Sequence, residues 1–275
     1  LANRPDCLCA WGIARETSAA LGTKLTLPEV TVKDVGGDIA DHVQVTVEDF
    51  TRCPRYAARV IKNVRVAPSP MWLRQVLHAS GMRSINNIVD ITNYVMLATG
   101  QPSHAYDSDH IAGHIIVRRA KAGETLTLLN GKELPLSTDD LTIADDAGIV
   151  GLAGVMGGAK DSILPTTSKV ILEIANFQAA GIRRTALRYD NRTEASARYE
   201  KAIDPERCDQ AFDLSMQLFH ELYPDMQVTG LVDQYPVPLK KAEIDVPISW
   251  LERRLGKTLT PEAVAHKLQP LGFQL

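Results

Sequence analysis

The sequence lacks the features that place a protein in a membrane, on a disulfide framework or around a structural metal. Its 275 residues contain four cysteines, and only Cys7 and Cys9 lie close together. A C-x-C pair without a nearby histidine or cysteine partner is a poor zinc signature, and free thiols in a reducing cytoplasm are the simpler interpretation. No apolar run approaches the length of a membrane span and no signal peptide is visible, so we expect a cytoplasmic protein with no membrane partner.

A large net charge is also missing. The formal net charge is -3, with 45% hydrophobic and 23% charged residues, which is the balance of an ordinary soluble globular protein with a sizeable core. Because no excess of positive charge indicates a nucleic-acid-binding protein, any contact with RNA has to come from a local basic patch. The length predicts one large domain or two small ones.

Several familiar catalytic motifs are absent as well. The sequence has no G-x-x-x-x-G-K-[ST] loop, no H-E-x-x-H helix and no G-x-S-x-G elbow. Of its seven histidines, only His104, His110 and His114 lie near one another, and structural metal sites usually show tighter pairings. We therefore predict that this chain holds no metal and no cofactor.

Glycine and proline positions divide the chain into three segments. Residues 1–42 contain a helix begun by Asp6 and ended near Gly22, followed by a linker over 24–40. Residues 43–235 hold most of the strands and helices. Residues 236–275 are too short to bury a core alone, so we expect the truncated start of another domain. Because the chain begins with Leu1 rather than Met, we expect a piece of a longer protein.

The middle segment mixes strands and helices in an order that predicts an α+β fold, a β-rich module with flanking helices. Apolar runs bounded by turn residues predict the strands, and capping residues before helical periodicity predict the helices. The clearest elements are a helix from Ser69-Pro70 to Gly81, a helix over 84–99, a hairpin around Asn130-Gly131, a strand over 170–174 and a long helix that Asp204-Pro205 begins.

Two features of this segment suit a binding pocket, and each also has a purely structural explanation. The first is a cluster of four glycines, Gly151, Gly154, Gly157 and Gly158, which either let the backbone approach a ligand or form tight turns. The second is Glu173 in an apolar strand, where it either faces solvent from an edge strand or lies beside Ile171 against an apolar wall. A buried acid needs a hydrogen-bond partner, and a ligand hydroxyl is a candidate. The sequence leaves both pairs of alternatives open.

The stretch between residues 183 and 207 is locally basic. It contains five arginines between Arg183 and Arg198, with Asp190, Glu194 and Glu200 interspersed. A solvated, salt-bridged face is the default interpretation of such a pattern, and contact with phosphate groups is the sharper alternative.

Several strings, in order and in register over essentially the whole chain, resemble the β chain of bacterial phenylalanyl-tRNA synthetases. Long strings in register are far more specific than one short motif. They are Asn3-Arg4-Pro5-Asp6-Cys7-Leu8, Cys53-Pro54-Arg55-Tyr56, Val89-Asp90-Ile91-Thr92-Asn93-Tyr94-Val95, Gly100-Gln101-Pro102-Ser103-His104-Ala105-Tyr106-Asp107, Gly154-Val155-Met156-Gly157-Gly158, Glu173-Ile174-Ala175-Asn176-Phe177 and Arg192-Thr193-Glu194-Ala195-Ser196-Ala197-Arg198-Tyr199-Glu200.

This resemblance implies a domain order and a division of labour. It implies that residues 1–42 end an N-terminal core piece, that 43–235 form the editing module, and that 236–275 begin a winged-helix-like domain. The family's aminoacylation site lies in the α chain, so this chain is expected to hydrolyse mischarged Tyr-tRNA(Phe) rather than to activate phenylalanine. By motif, His104 is the expected catalytic residue, and the expected pocket residues are Glu173, Gly157, Thr193, Ala195, Asn93 and Arg83. One departure from the family pattern is Ala202, where many relatives are expected to have glycine.

The resemblance also implies partners. These are the acceptor end of tRNA(Phe) and the α chain of a heterotetrameric enzyme. The whole enzyme is expected to use ATP and Mg²⁺, but this chain is expected to bind neither ATP nor Mg²⁺. A non-catalytic alternative is a scaffold for RNA docking or subunit contact with an inactive pocket. A third hypothesis is a related β-rich module of another tRNA-modifying enzyme. The Asn3-Arg4-Pro5-Asp6 segment and the winged-helix-like start at the C-terminal end argue against it.

Overall fold

The computed structural model describes residues 3–28, 44–160 and 162–275. It confirms the predicted α+β class. The α-helices are α1 (Ala10–Leu21), α2 (Met71–Ala79), α3 (Asn87–Thr99), α4 (Ala179–Arg188), α5 (Glu194–Tyr199), α6 (Arg207–Leu222), α7 (Ile248–Leu255) and α8 (Pro261–Leu268), with 3-10 turns at Pro5–Cys7 and Gln269–Leu271.

The strands form two larger sheets and one small hairpin. The strands are β1 (Val45–Val47), β2 (Arg55–Lys62), β3 (His104–Asp107), β4 (Ile115–Arg119), β5 (Thr125–Thr127), β6 (Glu133–Pro135), β7 (Leu141–Asp145), β8 (Gly148–Leu152), β9 (Met156–Gly157), β10 (Lys169–Asn176), β11 (Gln227–Val228) and β12 (Val232–Gln234). The central sheet has the order β11-β2-β10-β3, with β12 also paired to β2. The outer sheet has the order β1-β4-β7-β8-β9, in which β1 and β4 are parallel. Strands β5 and β6 form the hairpin predicted around Asn130-Gly131.

The central sheet separates two apolar cores, because successive side chains of a strand point to opposite faces. On β2, Ala57 and Ile61 belong to a helix-side core with α2, α3 and α6, whereas Ala58 and Val60 belong to an inter-sheet core with the outer sheet. Strand β10 alternates in the same way, with Leu172 on the helix side. The layers are therefore helices, central sheet and outer sheet, and the odd-numbered residues of β10 face the outer sheet.

The predicted start of α1 is wrong in detail. Asp6 does not cap this helix, because its carboxylate receives two hydrogen bonds from the guanidinium of Arg4. Cys9 caps the helix instead, with its sulfur accepting from the backbone N–H of Gly12 at 3.4 Å. The helix ends at Gly22, which is in the left-handed conformation, as the sequence predicted.

The starts of α2 and α3 also differ from the prediction. Ser69 makes no capping bond to α2, and its hydroxyl instead donates to the carboxylate of Asp90 at 2.5 Å. Helix α3 begins at Asn87 rather than at residue 84, because the Asn86 side chain accepts hydrogen bonds from the N–H groups of Ile88 and Val89. The carboxylate of Asp90 therefore ties the two helix starts together.

The terminal segments pack less than the middle of the chain. Residues 236–275 contribute no buried side chain, which agrees with the expectation that this segment cannot bury a core by itself. Its winged-helix-like character stays a prediction, and so do the three domain boundaries. Most of the predicted linker, residues 29–40, lies outside the described residues. No helix in the described part of the chain combines the length and the apolar character that crossing a membrane requires.

Ala202 occupies a backbone conformation that favours glycine. Its φ angle is +61°, and its N–H donates to the carbonyl of Tyr199 in the turn after α5. A Cβ atom in the left-handed region costs roughly 1–2 kcal/mol. Ala202 therefore adds local strain in an exposed turn, and the glycine that the resemblance leads us to expect here in many relatives would relieve it.

We expect Ala202→Gly to raise the free energy of unfolding by up to about 1 kcal/mol, since relief of this strain outweighs the larger chain entropy of glycine. The matched control is Ala197→Gly inside α5, which should lower stability by about 0.5–1 kcal/mol. Urea denaturation of the two variants measures both changes. Equal destabilisation by the two substitutions would contradict the strain at residue 202.

Candidate functional site

Glu173 lies in the middle of the central sheet and faces the outer sheet. Its strand, β10, is flanked on both sides, with Glu173 opposite Ala58 of β2 and His104 of β3. The interpretation of Glu173 as a solvent-facing residue of an edge strand is therefore wrong. The alternative is confirmed, because Glu173 is only 6% exposed and Ile171 lies on the same face in the inter-sheet core.

Two tyrosine hydroxyl groups hold the Glu173 carboxylate. Tyr56 of β2 donates to its Oε2 atom at 2.8 Å, and Tyr106 of β3 donates to the same atom at 2.7 Å. Among the described residues, no hydrogen bond reaches Oε1. The neighbouring strands thus hold the carboxylate through one oxygen, and Oε1 has no protein donor among the described residues.

Burial and these hydrogen bonds act on Glu173 in opposite directions. Removal from water raises the pKa of the carboxyl group, and the hydroxyl donors Tyr106 and Tyr56 lower it. Burial raises the pKa of Tyr56 well above its usual value, so this phenol stays protonated and remains a donor. Both oxygens of Glu173 lie in a site where an unmade hydrogen bond is costly.

A cavity between the two sheets adjoins Glu173, and we call it the inter-sheet cavity. Most of its walls come from three stretches of chain, the start of β3, the β8–β9 region and β10, with two residues of α5 beside them. Five of its lining side chains carry polar groups, namely Ser103, His104, Tyr106, Glu173 and Tyr199. The lining residues are Pro102, Ser103, His104, Tyr106, Ile143, Gly151, Leu152, Ala153, Gly154, Val155, Met156, Gly157, Glu173, Phe177, Ala195 and Tyr199.

His104 is the basic side chain of this cavity. Its ring packs edge-on against Tyr106, with ring centroids 4.5 Å apart. Desolvation lowers the pKa of the imidazole from 6.5 to about 4, so the ring is neutral at physiological pH and can accept a hydrogen bond through its unprotonated nitrogen. The neighbouring Ser103 hydroxyl also lines the cavity and has no hydrogen-bond partner within the described part of the chain.

The glycine cluster combines the two interpretations that the sequence left open. Gly157 permits a close approach, because a Cβ atom there would lie 2.6 Å from Cε1 and 2.7 Å from Nε2 of His104. Gly154 forms a turn, with a φ angle of +66°, packed between Phe177 and Tyr199. Any larger residue at position 157 would displace the imidazole ring from the cavity wall.

Thr193 and Ala195 hold the cavity together from α5. The Thr193 hydroxyl accepts from the N–H of Ser196 as the helix cap and donates to the carbonyl of Val155 at 2.8 Å. This bond ties the start of α5 to the glycine-rich stretch. Ala195 then lines the inter-sheet cavity directly, whereas Thr193 does not.

Arg83 and Asn93 do not line the inter-sheet cavity. Asn93 is a partly buried residue of α3, whose core-facing residues belong to the helix-side core. Arg83 is exposed in the connection between α2 and α3, where it lines a separate cleft. Their assignment to the editing pocket stays a prediction.

The site also contains Tyr56 and Tyr106, which donate to Glu173 and were not among the predicted site residues. A signal for Tyr106 was present, because it stands two residues after His104 and so shares its face of β3. Nothing comparable pointed to Tyr56, because its proximity to Glu173 depends on the register between β2 and β10.

Most of the basic stretch is paired with acids. Arg188 contacts Asp140, Arg192 donates to Glu200 at 2.7 Å, and Arg198 donates to Glu194 at 2.6 Å. For these three arginines the structure therefore agrees with a salt-bridged surface. Arg183 and Arg184 are exposed on α4.

The histidines 104, 110 and 114 do not converge on one point. His110 contacts Asp107 and His114 contacts Asp146. Within the described ranges, the only grouping with metal-ligand spacing is formed by Asp6, Cys7 and Glu16. The guanidinium of Arg4 already binds both of those carboxylates, so this grouping does not fit a Mg²⁺ ion.

Comparison with known proteins gives the chain a family. The model of the B3/4 domain family matches residues 52–224. The phenylalanine--tRNA ligase beta subunit of Geobacter metallireducens is 44% identical over 274 residues, which is 99% of this chain and 34% of that protein. The beta subunit of Solibacter usitatus is 42% identical over 275 residues, which is 99% of this chain and 36% of that protein. The chain thus spans about a third of the length of the curated relatives it matches.

A solved structure is also similar to the chain. It is an N-terminal fragment of the phenylalanyl-tRNA synthetase beta-subunit from Pyrococcus horikoshii, at 15% identity and a TM-score of 0.47, covering 98% of this chain and 74% of that one. The resemblance that the sequence strings indicated is confirmed by the bacterial relatives over nearly the whole chain. The chain belongs to the B3/4 domain family and is similar, over that length, to a segment of the phenylalanine--tRNA ligase beta subunit.

Proposed function

We propose that the inter-sheet cavity is an editing site that hydrolyses the ester bond of tyrosine wrongly attached to tRNA(Phe). The observation that carries the proposal is the buried Glu173 carboxylate on the wall of this cavity, with Oε1 left without a protein donor among the described residues. A phenol that enters the cavity supplies the missing hydrogen bond. It joins the two phenols, Tyr56 and Tyr106, that already hold Oε2.

The need for such a site follows from the chemistry of the two amino acids. Tyrosine is phenylalanine with one added hydroxyl, and an apolar synthetic pocket rejects such an isostere by only about a hundredfold. A second site that requires the hydroxyl removes the error. Phenylalanine would leave the Glu173 oxygen unpaired, at a cost of roughly 1–3 kcal/mol, and is therefore disfavoured as a substrate.

The hydrolysis itself needs a positioned water molecule rather than a protein nucleophile. The water oxygen attacks the ester carbonyl carbon, the bond to the ribose oxygen breaks, and a proton passes to that oxygen to give tyrosine and tRNA. His104, neutral at physiological pH, is suited to orient the water or to accept its proton. The buried cysteines are poor nucleophiles, since burial raises the pKa of Cys208 to about 12 and that of Cys53 well above its usual value.

Hydrolysis of an ester also needs donors for the oxyanion that develops on the carbonyl oxygen, and the backbone amides near Gly157 are the first groups to consider. The N–H of Gly158 donates to the carbonyl of Val150, and the N–H of Ala159 donates to the carbonyl of Thr127. These two amides are therefore engaged within the fold. The unpaired Ser103 hydroxyl is a better candidate donor, because it already lines the cavity beside His104.

We also propose that this chain acts within a larger phenylalanyl-tRNA synthetase. In that setting the α chain carries out aminoacylation with ATP and Mg²⁺, and this segment receives the acceptor end of tRNA(Phe). The competing scaffold function predicts no deacylation of preformed Tyr-tRNA(Phe) by the 275-residue chain, whereas the editing function predicts that the rate exceeds spontaneous hydrolysis.

Glu173→Gln should weaken the preference for Tyr-tRNA(Phe) over Phe-tRNA(Phe) by about tenfold or more, because the ligand hydroxyl loses a carboxylate acceptor. The amide keeps the side-chain volume and can still accept from Tyr56 and Tyr106. Deacylation rates of the two preformed aminoacyl-tRNAs measure the preference. Glu133→Gln on the exposed face of β6 is the matched control, and an unchanged preference in Glu173→Gln would exclude the assigned role.

Tyr106→Phe should shift the pH dependence of tyrosine-specific hydrolysis upward. The Tyr106 hydroxyl lowers the pKa of Glu173, so its removal raises that pKa and the carboxylate forms at higher pH. The phenylalanine ring keeps the edge-on packing against His104. The ratio of Tyr-tRNA to Phe-tRNA hydrolysis, followed against pH, tests this, with Tyr223→Phe on the helix side as control. The hypothesis fails if the midpoint stays in place or moves to lower pH.

His104→Asn should slow deacylation without preventing tRNA binding. Because the His104 pKa lies near 4 instead of 6.5, the wild-type advantage over the variant should persist as pH falls through 6.5 and decline only below about pH 5. Single-turnover rates at a series of pH values, with His110→Asn as control, measure it. An advantage that disappears between pH 7 and 6 would show that His104 titrates normally and is not desolvated.

A further inference from the structure

Backbone pairing between β3 and β10 stops at the edge of the inter-sheet cavity. The register that pairs His104 with Glu173 places Pro102 opposite Ala175. The Ala175 carbonyl faces this side, because the carbonyl groups of a strand alternate in direction and that of Lys169, six residues earlier, accepts from the residue just after β3. A proline has no N–H to donate to it, and β3 accordingly begins only at His104.

Two buried side chains supply the missing donors. The Nε2 atom of Gln101 donates to the carbonyl oxygen of Ala175 at 2.8 Å and to that of Pro102 at 2.9 Å. The Tyr199 hydroxyl donates to the same Ala175 oxygen at 2.9 Å and lies 3.2 Å from the Pro102 oxygen. Because Nε2 of Gln101 is also 3.2 Å from the Tyr199 hydroxyl, the two side chains form one network between β3, β10 and α5.

The Gln101 amide is oriented by acceptors alone. Gln101 is fully buried, and carbonyl oxygens can only accept, so its nitrogen has to face them. Its Oε1 atom consequently has no hydrogen-bond partner within the described part of the chain. An unpaired buried oxygen is costly, and an apolar side chain of the same length would avoid that penalty if packing were the only requirement. The donor nitrogen is therefore what this position needs.

The network matters more for His104 than for Glu173. Strand β10 is paired along its whole length with β2, so Glu173 keeps its place without the network. Strand β3 is the edge strand of the central sheet, and its pairing with β10 ends at His104. The bonds from Gln101 and Tyr199 are the next attachment of this segment to β10. Since Pro102 and His104 both line the inter-sheet cavity, a shift of the segment moves the imidazole along the cavity wall.

We propose that Gln101 is a positioning residue for His104 in the editing reaction. Together with Tyr199 it holds the segment 102–104 against β10 and so keeps the imidazole level with Glu173. The inference rests on the proposed function, because it takes the ester bond to lie beside His104. Gln101 does not line the cavity, so it acts through the backbone next to it and not on the substrate.

Gln101→Met removes the donor nitrogen and the unpaired oxygen but keeps the length of the side chain, so the fold should be retained. In the full 275-residue chain, kcat for deacylation of preformed Tyr-tRNA(Phe) should fall about ten- to a hundredfold, the loss expected when a catalytic group moves by about 1 Å. The value of kcat/KM should fall by the same factor. The preference for Tyr-tRNA(Phe) over Phe-tRNA(Phe) should stay at the wild-type value, because Glu173 and its two tyrosine donors are unchanged.

The position of His104 is measured separately, through its titration. The chain is isotope-labelled at the histidine Cε1 carbon, and the His104 signal is identified by its loss in His104→Asn. Its pKa is near 4 in the wild type because the ring is desolvated. Loosening of the wall admits water, so in Gln101→Met this pKa should rise toward 6.5. A change in global stability alone would not move the pKa of the folded chain.

Tyr199→Phe is a second and milder variant, which keeps the ring packed edge-on against Phe177. It should change the rate and the His104 pKa in the same directions but less, since the Gln101 nitrogen still reaches both carbonyl groups. The control is Asn87→Leu, which removes another buried amide with two backbone hydrogen bonds, in the helix layer. It should leave the rate and the His104 pKa unchanged.

Three results would overturn the proposal. The first is an unchanged His104 pKa in Gln101→Met, or an unchanged rate where the wild type is active. The second is an equal change in Asn87→Leu, which would reduce the effect to general loosening of the fold. The third is loss of the preference for tyrosine together with the rate, which would show that the network positions Glu173 instead.

The two proposals fail separately. If the wild type deacylates Tyr-tRNA(Phe) no faster than spontaneous hydrolysis, the proposed function fails, and the titration of His104 still decides whether Gln101 holds the imidazole. If the wild type deacylates and the His104 pKa is the same in Gln101→Met, the positioning by Gln101 fails and the editing function stands.

Discussion

The site depends on a carboxylate that is buried between two sheets and held by two phenols. An ionisable group in such a place is costly unless it is hydrogen-bonded, and the donors come from the two strands that flank β10. Because both Tyr56 and Tyr106 reach the same oxygen, the register of three strands decides which oxygen of Glu173 is left without a donor among the described residues. The sheet therefore defines the chemistry of the cavity as well as its position.

The other walls of the cavity follow from this arrangement. His104 is the register partner of Glu173 on β3, so its imidazole lies at the same level of the sheet, and the absent side chain of Gly157 leaves room for the ring. The Thr193 hydroxyl fastens α5 to the carbonyl of Val155 and so closes the cavity from a third side. The helix layer lies behind the sheet and supports it through the helix-side core.

The sequence predicted the class of the fold and much of the site for identifiable reasons. Period-two alternation placed Glu173 with Ile171, turn residues located the hairpin, and long strings in register pointed to His104 and Ala195. The predicted helix caps were wrong at two positions, because Asp6 binds Arg4 and Ser69 binds Asp90 instead of the backbone N–H groups of the following helix. Tyr56 was beyond reach, since its approach to Glu173 depends on the register between β2 and β10, and this register is fixed by pairing across more than a hundred residues of chain.

The most direct measurement is a crystal structure of this chain with a non-hydrolysable tyrosyl-adenosine analogue, accompanied by the phenylalanyl counterpart. The account predicts the tyrosine hydroxyl at about 2.7 Å from Oε1 of Glu173, with the carbonyl group near His104, and much weaker binding of the phenylalanyl analogue. A tyrosine ring bound outside the inter-sheet cavity, or equal binding of both analogues with no contact to Glu173, would contradict it.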